Sequence, residues 1–202
     1  MNFSFNCRST MKTTTRIAIF ASGSGSNAQR ITEYFAGSGI AETTAIYCNN
    51  PEAYVLERAG LLGLPYIVFD RNTFYNSEDV LQDLRDRGID WIILAGFLWL
   101  IPTSILQAFP QRIINVHPAL LPAYGGKGMY GMKVHNAVIA AGDNESGITI
   151  HHVNEKYDEG DIIFQARCTI DKTDTAETLA SKIHKLEYEH FPAVIHELIT
   201  KG

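Results

Sequence analysis

The sequence predicts an α/β fold: a mostly parallel, twisted sheet with helices on both faces and an antiparallel excursion in the C-terminal half. Three observations carry this expectation. Short apolar, β-rich runs alternate with amphipathic segments through residues 16–141, the order produced when helices form the crossovers of a parallel sheet. Glycine closes several of the helical segments. Two later runs, 147–153 and 162–170, are separated only by the turn-rich stretch 154–160, so they pair as a hairpin-like excursion.

Each element has a local reason. Residues 16–21 and 43–48 read as the first two strands, with a helix over 26–36 between them. A helix over about 52–62 ends near Gly63, a residue suited to a left-handed cap. Residues 65–69 form the third strand. A helix over 77–87 is closed by Gly88, and 91–95 is a fully apolar fourth strand, as expected inside a parallel sheet. A short helix over 103–109 precedes the strand 112–117, and a glycine-rich loop then leads to a helix over 133–141. Asp174 and Glu177 have N-cap and N3 spacing for a final helix reaching about Ile199. No repeat, low-complexity tract or linker interrupts the series. Residues 15–202 therefore read as one Rossmann-like domain, preceded by a flexible leader over 1–14 in which Met11 would also serve as a start.

The 202 residues are ample for one core, and 46% apolar with 19% charged is ordinary for a soluble protein. A net charge of −5 disfavours broad nucleic-acid binding. No apolar run approaches the roughly 20 residues of a membrane-spanning helix, so no membrane partner is expected. Cys7, Cys48 and Cys168 are odd in number and lack CxxC spacing. They point to a reducing, cytoplasmic setting rather than a disulfide framework or zinc knuckle.

The segment Asn115-Val116-His117-Pro118 ends an apolar run. Strand side chains alternate, so Asn115 and His117 project from one face where the strand meets a loop. Open α/β sheets bind ligands at such carboxyl ends, and these side chains suit a reaction in which donors face a developing negative charge. Gly23-Ser24-Gly25-Ser26-Asn27-Ala28 follows the first strand and opens a helix, the setting in which backbone N–H groups and the helix dipole bind an anion. The second half of a dinucleotide fingerprint is missing, because the second strand ends in Cys48-Asn49-Asn50 with no acid for a ribose diol. Taken alone, the loop is compatible with a single phosphate, a dinucleotide or a plain turn.

Tyr157-Asp158-Glu159-Gly160-Asp161 puts three carboxylates in five residues. Such stretches are commonly solvated turns. Asp158 gains meaning from His117, since a carboxylate turned inward favours the imidazolium and receives protons as an amine is acylated. His151 and His152 are adjacent on a strand and face opposite sides, so one can line a site. A metal on His117, His151 and Asp158 lacks any H-x-x-x-H or H-E-x-x-H spacing, and none is expected. His135, His184, His190 and His196 fall in helical segments and read as surface or interface residues, and Glu187 by itself reads as an exposed acid. The run from Trp91 to Ile101 outlasts one strand. Residues 97–101 are left either to pack as a core loop or to wall an apolar cleft for a flat ligand such as a pterin.

In order and spacing, Ser22-Gly23-Ser24-Gly25-Ser26-Asn27, Leu94-Ala95-Gly96-Phe97, Asn115-Val116-His117-Pro118 with Leu120-Leu121-Pro122, and Tyr157-Asp158-Glu159-Gly160-Asp161 resemble the phosphoribosylglycinamide formyltransferases, folate-dependent enzymes of purine synthesis. The resemblance covers about residues 15–200. It implies that Asn115, His117 and Asp158 form the catalytic trio and that Gly25, Ser26 and Asn27 form the ribosyl-phosphate loop. It also places Glu187 near the glycinamide amine and assigns folate contacts to Leu98, Trp99, Leu100, Ile101 and Asn115. The implied co-substrates are 10-formyltetrahydrofolate and glycinamide ribonucleotide. The sequence departs from the family at Trp99, where arginine is often found, and at Ser77, near another position that can be arginine. It also departs in Gly125-Gly126-Lys127-Gly128-Met129-Tyr130-Gly131, where Lys127 is a candidate phosphate contact.

The implied reaction is direct transfer: the substrate amine attacks the formyl carbon, and Asn115 and His117 donate to the tetrahedral oxyanion while Asp158 supports a charged His117. The tight turn after His117 is expected to hold a cis Leu121–Pro122 bond. Two other readings compete. A hydrolase releasing formate from the same folate would need no ribosyl-phosphate loop, and an inert nucleotide- or folate-binding module would need no Asn115/His117/Asp158 trio.

Overall fold

The structure is a computed structural model that describes residues 14–201; the expected leader lies, apart from Thr14, outside the described residues. These residues form seven strands: β1 (Thr15–Ala21), β2 (Ala41–Cys48), β3 (Tyr66–Val68), β4 (Trp91–Leu94), β5 (Ile113–His117), β6 (Glu145–His152) and β7 (Ile162–Thr169). They make one sheet in the order β3-β2-β1-β4-β5-β6-β7. The first five run parallel, and β6 is antiparallel to both β5 and β7. The helices are α1 (Ser26–Phe35), α2 (Val55–Leu61), α3 (Arg71–Asn76), α4 (Asp79–Asp86), α5 (Thr103–Ala108), α6 (Met132–Ala141) and α7 (Ala176–Lys201).

The strand period of two sorts the core into halves. Ile17, Ile19 and Ala21 of β1 face Ala28, Ile31 and Phe35 of α1 and Leu179, Ile183, Phe191 and Ile195 of α7. Ala18 and Phe20 face the other way, toward Val80, Leu81 and Leu84 of α4 and Ile105 of α5. Both faces of β1 are covered, which is why its interior is apolar without alternation. On the second face Phe20 stacks on Tyr47 with ring centroids 4.7 Å apart and meets the edge of Phe97 at 5.3 Å. Such pairs add about 0.5–1.5 kcal/mol each beyond their area burial.

Helix α3 is an element the sequence reading omits. Arg71-Asn72-Thr73-Phe74-Tyr75-Asn76 is a poor helix by propensity. It forms because the Asp70 side chain accepts the Thr73 N–H at 2.8 Å as an N-cap and because Phe74 is buried in the aromatic cluster. The cap of α7 also differs from the expected one. Thr175 and Thr178, each one residue beyond the expected pair, exchange hydrogen bonds between hydroxyl and backbone N–H. Asp174 instead accepts from the Thr178 hydroxyl and pairs with Lys182.

The antiparallel part sets the geometry beside β5. Its register pairs Asn115 with His151 and His117 with Thr149. The buried Thr149 hydroxyl donates to the Ala119 carbonyl at 2.7 Å and accepts from the Leu121 N–H at 2.9 Å and the Gln165 amide at 2.8 Å, which fixes the turn after β5. The Leu121–Pro122 bond in that turn is cis. Between β6 and β7 the ladder steps from Ile150↔Phe164 to His151↔Ile162, so Ile163 is a bulge residue. Gly147 lets β6 approach both β7 and the turn. A Cβ there would lie 1.9 Å from the Ala166 carbonyl oxygen and 2.7 Å from Leu120 Cδ2. Gly147→Ala is therefore expected to destabilise the protein by about 3 kcal/mol, read as a lower urea midpoint at unchanged slope.

Candidate active site

Sheet order reverses between β1 and β4, the switch point at which an open α/β sheet leaves a crevice beyond its carboxyl ends. The Ser22 N–H donates to the Gly96 carbonyl, and the Ser22 hydroxyl accepts from the Leu98 N–H, both at 3.0 Å, so the loops after β1 and β4 are tied at this point. A cavity of about 340 Å³ opens here and extends from the glycine loop after β1 to the end of β5.

At the first end stand Gly25, Ser26 and Asn27. Gly25 is left-handed at φ 74°, and a Cβ on it would meet Val55 Cγ2 at 2.3 Å, so the loop needs glycine for both conformation and space. Helix α1 has no side-chain cap and no acid in its first turn. Its leading N–H groups and dipole therefore offer an anion seat. The Asn27 amide donates to Glu187 Oε2 of α7 at 2.8 Å.

At the other end the expected trio comes together. His117 is 3% exposed, and its Nε2 lies 2.8 Å from the Tyr124 carbonyl, which makes Nε2 the protonated nitrogen. Its Nδ1 faces Asp158 Oδ2 at 3.5 Å, longer than a good hydrogen bond. Burial lowers the basicity of this imidazole, with Asp158 and the Tyr124 carbonyl pulling the other way. Asp158 is presented from a left-handed backbone at φ 57° and accepts the Gly126 N–H at 2.9 Å. Burial works to raise its carboxyl, but the Gly126 N–H and the His117 imidazole outweigh that and hold it below its usual range.

His151 is the strand histidine that turns toward this end. Its Nδ1 meets the His152 carbonyl at 2.8 Å and is a donor there, which leaves Nε2 as a lone pair. The Asn115 Nδ2 donates to that lone pair at 3.1 Å. The contact fixes the amide so that its second N–H remains for the cavity.

Helices α6 and α7 contribute three groups: His135 and His184, which the sequence reads as surface or interface residues, and Glu187, which by itself reads as an exposed acid and is brought to the site only by the resemblance. His135 and His184 line the cavity, and Glu187 is 6% exposed within it. Burial pushes Glu187 up to about 7, against the Asn27 hydrogen bond. Burial, with lesser contributions from His184 and His117, pushes His135 down to about 4. The i, i+3 spacing of His184 and Glu187 puts them on one helix face, a signal that becomes readable only once that face is known to meet the glycine loop.

Of the residues given folate contacts by resemblance, Asn115 and Leu98 line the cavity. Trp99 packs against Phe74 at 5.9 Å and Phe69 at 6.2 Å, and the Arg71 guanidinium lies 4.8 Å over its ring. The Leu100 carbonyl accepts from Tyr75, and Ile101 is 4% exposed in the core. Ser77 ends α3, and Lys127 is exposed on the glycine-rich loop outside the cavity lining.

The chain matches the family described as formyl transferase over residues 15–195. It is 38% identical to the phosphoribosylglycinamide formyltransferase of Bacillus subtilis, covering 91% of this chain and 94% of that one. It is 42% identical to the chloroplastic enzyme of that name from Arabidopsis thaliana, of which it spans 66%. Among solved structures, the phosphoribosylglycinamide formyltransferase of Bacillus halodurans superposes with a TM-score of 0.82 at 36% identity, over 93% of this chain and 96% of that one. By the length matched, the identity and the superposition, the chain belongs to the formyl transferase family.

Proposed function

We propose that this protein is a phosphoribosylglycinamide formyltransferase, which moves the formyl group of 10-formyltetrahydrofolate to the amine of glycinamide ribonucleotide. One observation carries the reading: a single cavity has an anion seat at Gly25–Asn27 and the Asn115/His117/Asp158 group at its other end. A substrate with a phosphate at one end and an amine at the other suits that arrangement, and the chain's similarity to enzymes bearing this name supports the same reading.

The chemistry follows from protonation and placement. The amine attacks the formyl carbon, and the carbonyl oxygen becomes an oxyanion. The free N–H of Asn115 faces it, a role in which one donor contributes roughly 3–4 kcal/mol. Neutral His117 keeps Nε2–H on the Tyr124 carbonyl, so Nδ1 is the basic nitrogen. It takes the proton released by the attacking amine, and the Asp158 carboxylate balances the resulting charge. The Nδ1–H, loosely held by Asp158, then faces the oxyanion and supplies the proton needed by the departing N10. At the phosphate end, the upward shift of Glu187 to about 7 leaves it less charged near neutrality than an ordinary glutamate, which eases its repulsion of an anion beside Asn27. The apolar wall that begins at Phe97 and Leu98 borders the same end as Asn115 and suits the folate. Free thiols at Cys48 and Cys168 suit a reducing cytoplasm.

The direct test is consumption of formyl-folate with and without glycinamide ribonucleotide. Strictly ribonucleotide-dependent consumption is expected; consumption by water alone would mark a hydrolase. Asp158→Asn should lower kcat by about 10²–10⁴-fold with a much smaller change in KM, and near-normal turnover of the folded variant would remove its assigned role. Glu187 makes a separate prediction. Its folded pKa of about 7 lies above the ordinary 4.5, so its favourable contribution is complete below about pH 4.5 and is lost as pH rises through about 7. Glu187→Gln keeps an acceptor for Asn27. It should match the wild type in thermal stability near pH 4.5 and exceed it above pH 7 by roughly 3 kcal/mol.

A further inference from the structure

His135 is an anomaly within the cavity. It is 2% exposed on the first turn of α6, and its Nδ1 is enclosed with no hydrogen-bond partner. Other enclosed, unpartnered side-chain atoms occur on Thr44, Asn49 and His152, but those residues do not line the cavity. An unsatisfied buried polar group costs about 1–3 kcal/mol, and a core position on α6 beside Val134 and Val138 would take an apolar side chain without that loss.

The orphan also fixes the tautomer. An enclosed lone pair is tolerated better than an enclosed N–H without an acceptor, so the ring proton resides on Nε2. His135 is then a neutral donor in the cavity wall. His135 lines the same cavity as His184 and Glu187 of α7 and as Asn115 and His117 of β5, and it stands on α6, the helix that follows the loop after β5 and packs against α7. A substrate anchored at Gly25–Asn27 and reacting beside Asn115 passes its uncharged middle across this position.

We propose that His135 is a specificity-determining residue whose Nε2–H donates to an uncharged oxygen in the ribosyl-amide portion of the substrate. This rests on the function proposed above and adds a residue and a ligand chemistry to it. The role is recognition, because no proton need move at this ring.

The test sets affinity against stability in the full chain. Phenylalanine keeps a ring and removes the orphan nitrogen. His135→Phe is expected to weaken glycinamide ribonucleotide about three- to tenfold by calorimetry. The KM for 10-formyltetrahydrofolate should stay within about twofold, and the Tm of the free protein should be equal or higher. His135→Gln, which retains a side-chain N–H, should recover part of the lost affinity. Unchanged ribonucleotide affinity in the phenylalanine variant would overturn the assignment, as would a fall in Tm with parallel loss of both ligands. If the phenylalanine variant does not fold, full ribonucleotide affinity in a folded His135→Leu variant overturns it equally. Wild-type protein that neither binds nor turns over the ribonucleotide would defeat the proposed function and this assignment together. Wild-type activity with an insensitive His135 would defeat this assignment alone.

Discussion

The Asp158 carboxylate joins parts of the chain that the sheet leaves separate: the loop between β6 and β7, the glycine-rich loop before α6, and the end of β5. It accepts the Gly126 N–H and faces the imidazoles of both His117 and His151. A carboxylate this enclosed stays ionised only while the Gly126 N–H and a charged His117 compensate its lost hydration, because His151 turns toward it an Nε2 already engaged by Asn115. The charge, the loop conformation and the basicity of His117 are therefore one coupled problem. The left-handed backbone at Asp158 belongs to the same constraint, because it is the conformation from which the side chain turns inward.

The rest of the cavity is built on incomplete satisfaction. Glu187 is buried with Asn27 as its hydrogen-bonding neighbour, His135 has an unpaired nitrogen, and the first turn of α1 has no side-chain cap. Each lowers the stability of the empty protein, and each is a group that a polar ligand can complete. The two-faced core around β1 and β4 supplies the surplus that tolerates them.

The sequence was legible where local spacing and chemistry coincide. Asn115 and His117 share a strand face by alternation alone, and the glycine loop announces itself by following a strand and opening a helix. The antiparallel excursion was legible because 154–160 is too short and turn-rich to hold a crossover helix. The inward turn of Asp158 followed only from pairing it with His117. His135 and His184 were not legible, and Glu187 was reached only through the resemblance, because a histidine or glutamate on a helix carries no mark of which face is enclosed. Helix α3 was hidden by β-prone residues that a cap and an aromatic cluster override, and Trp99 by a run whose turn toward the core depends on Phe69 and Phe74.

The bulge at Ile163 has an evolutionary consequence. With one more residue in β7 than β6 requires at that point, the takeoff of the Asp158 loop is advanced by one residue along the strand. The loop is pinned on its other side, since the His152 N–H bonds the Asp161 carbonyl and Gly160 abuts the His152 carbonyl oxygen. Neither strand nor loop can change length alone without carrying the carboxylate away from the imidazole. Insertions and deletions between His152 and Phe164 should therefore arise in compensating pairs, one in the strand and one in the loop.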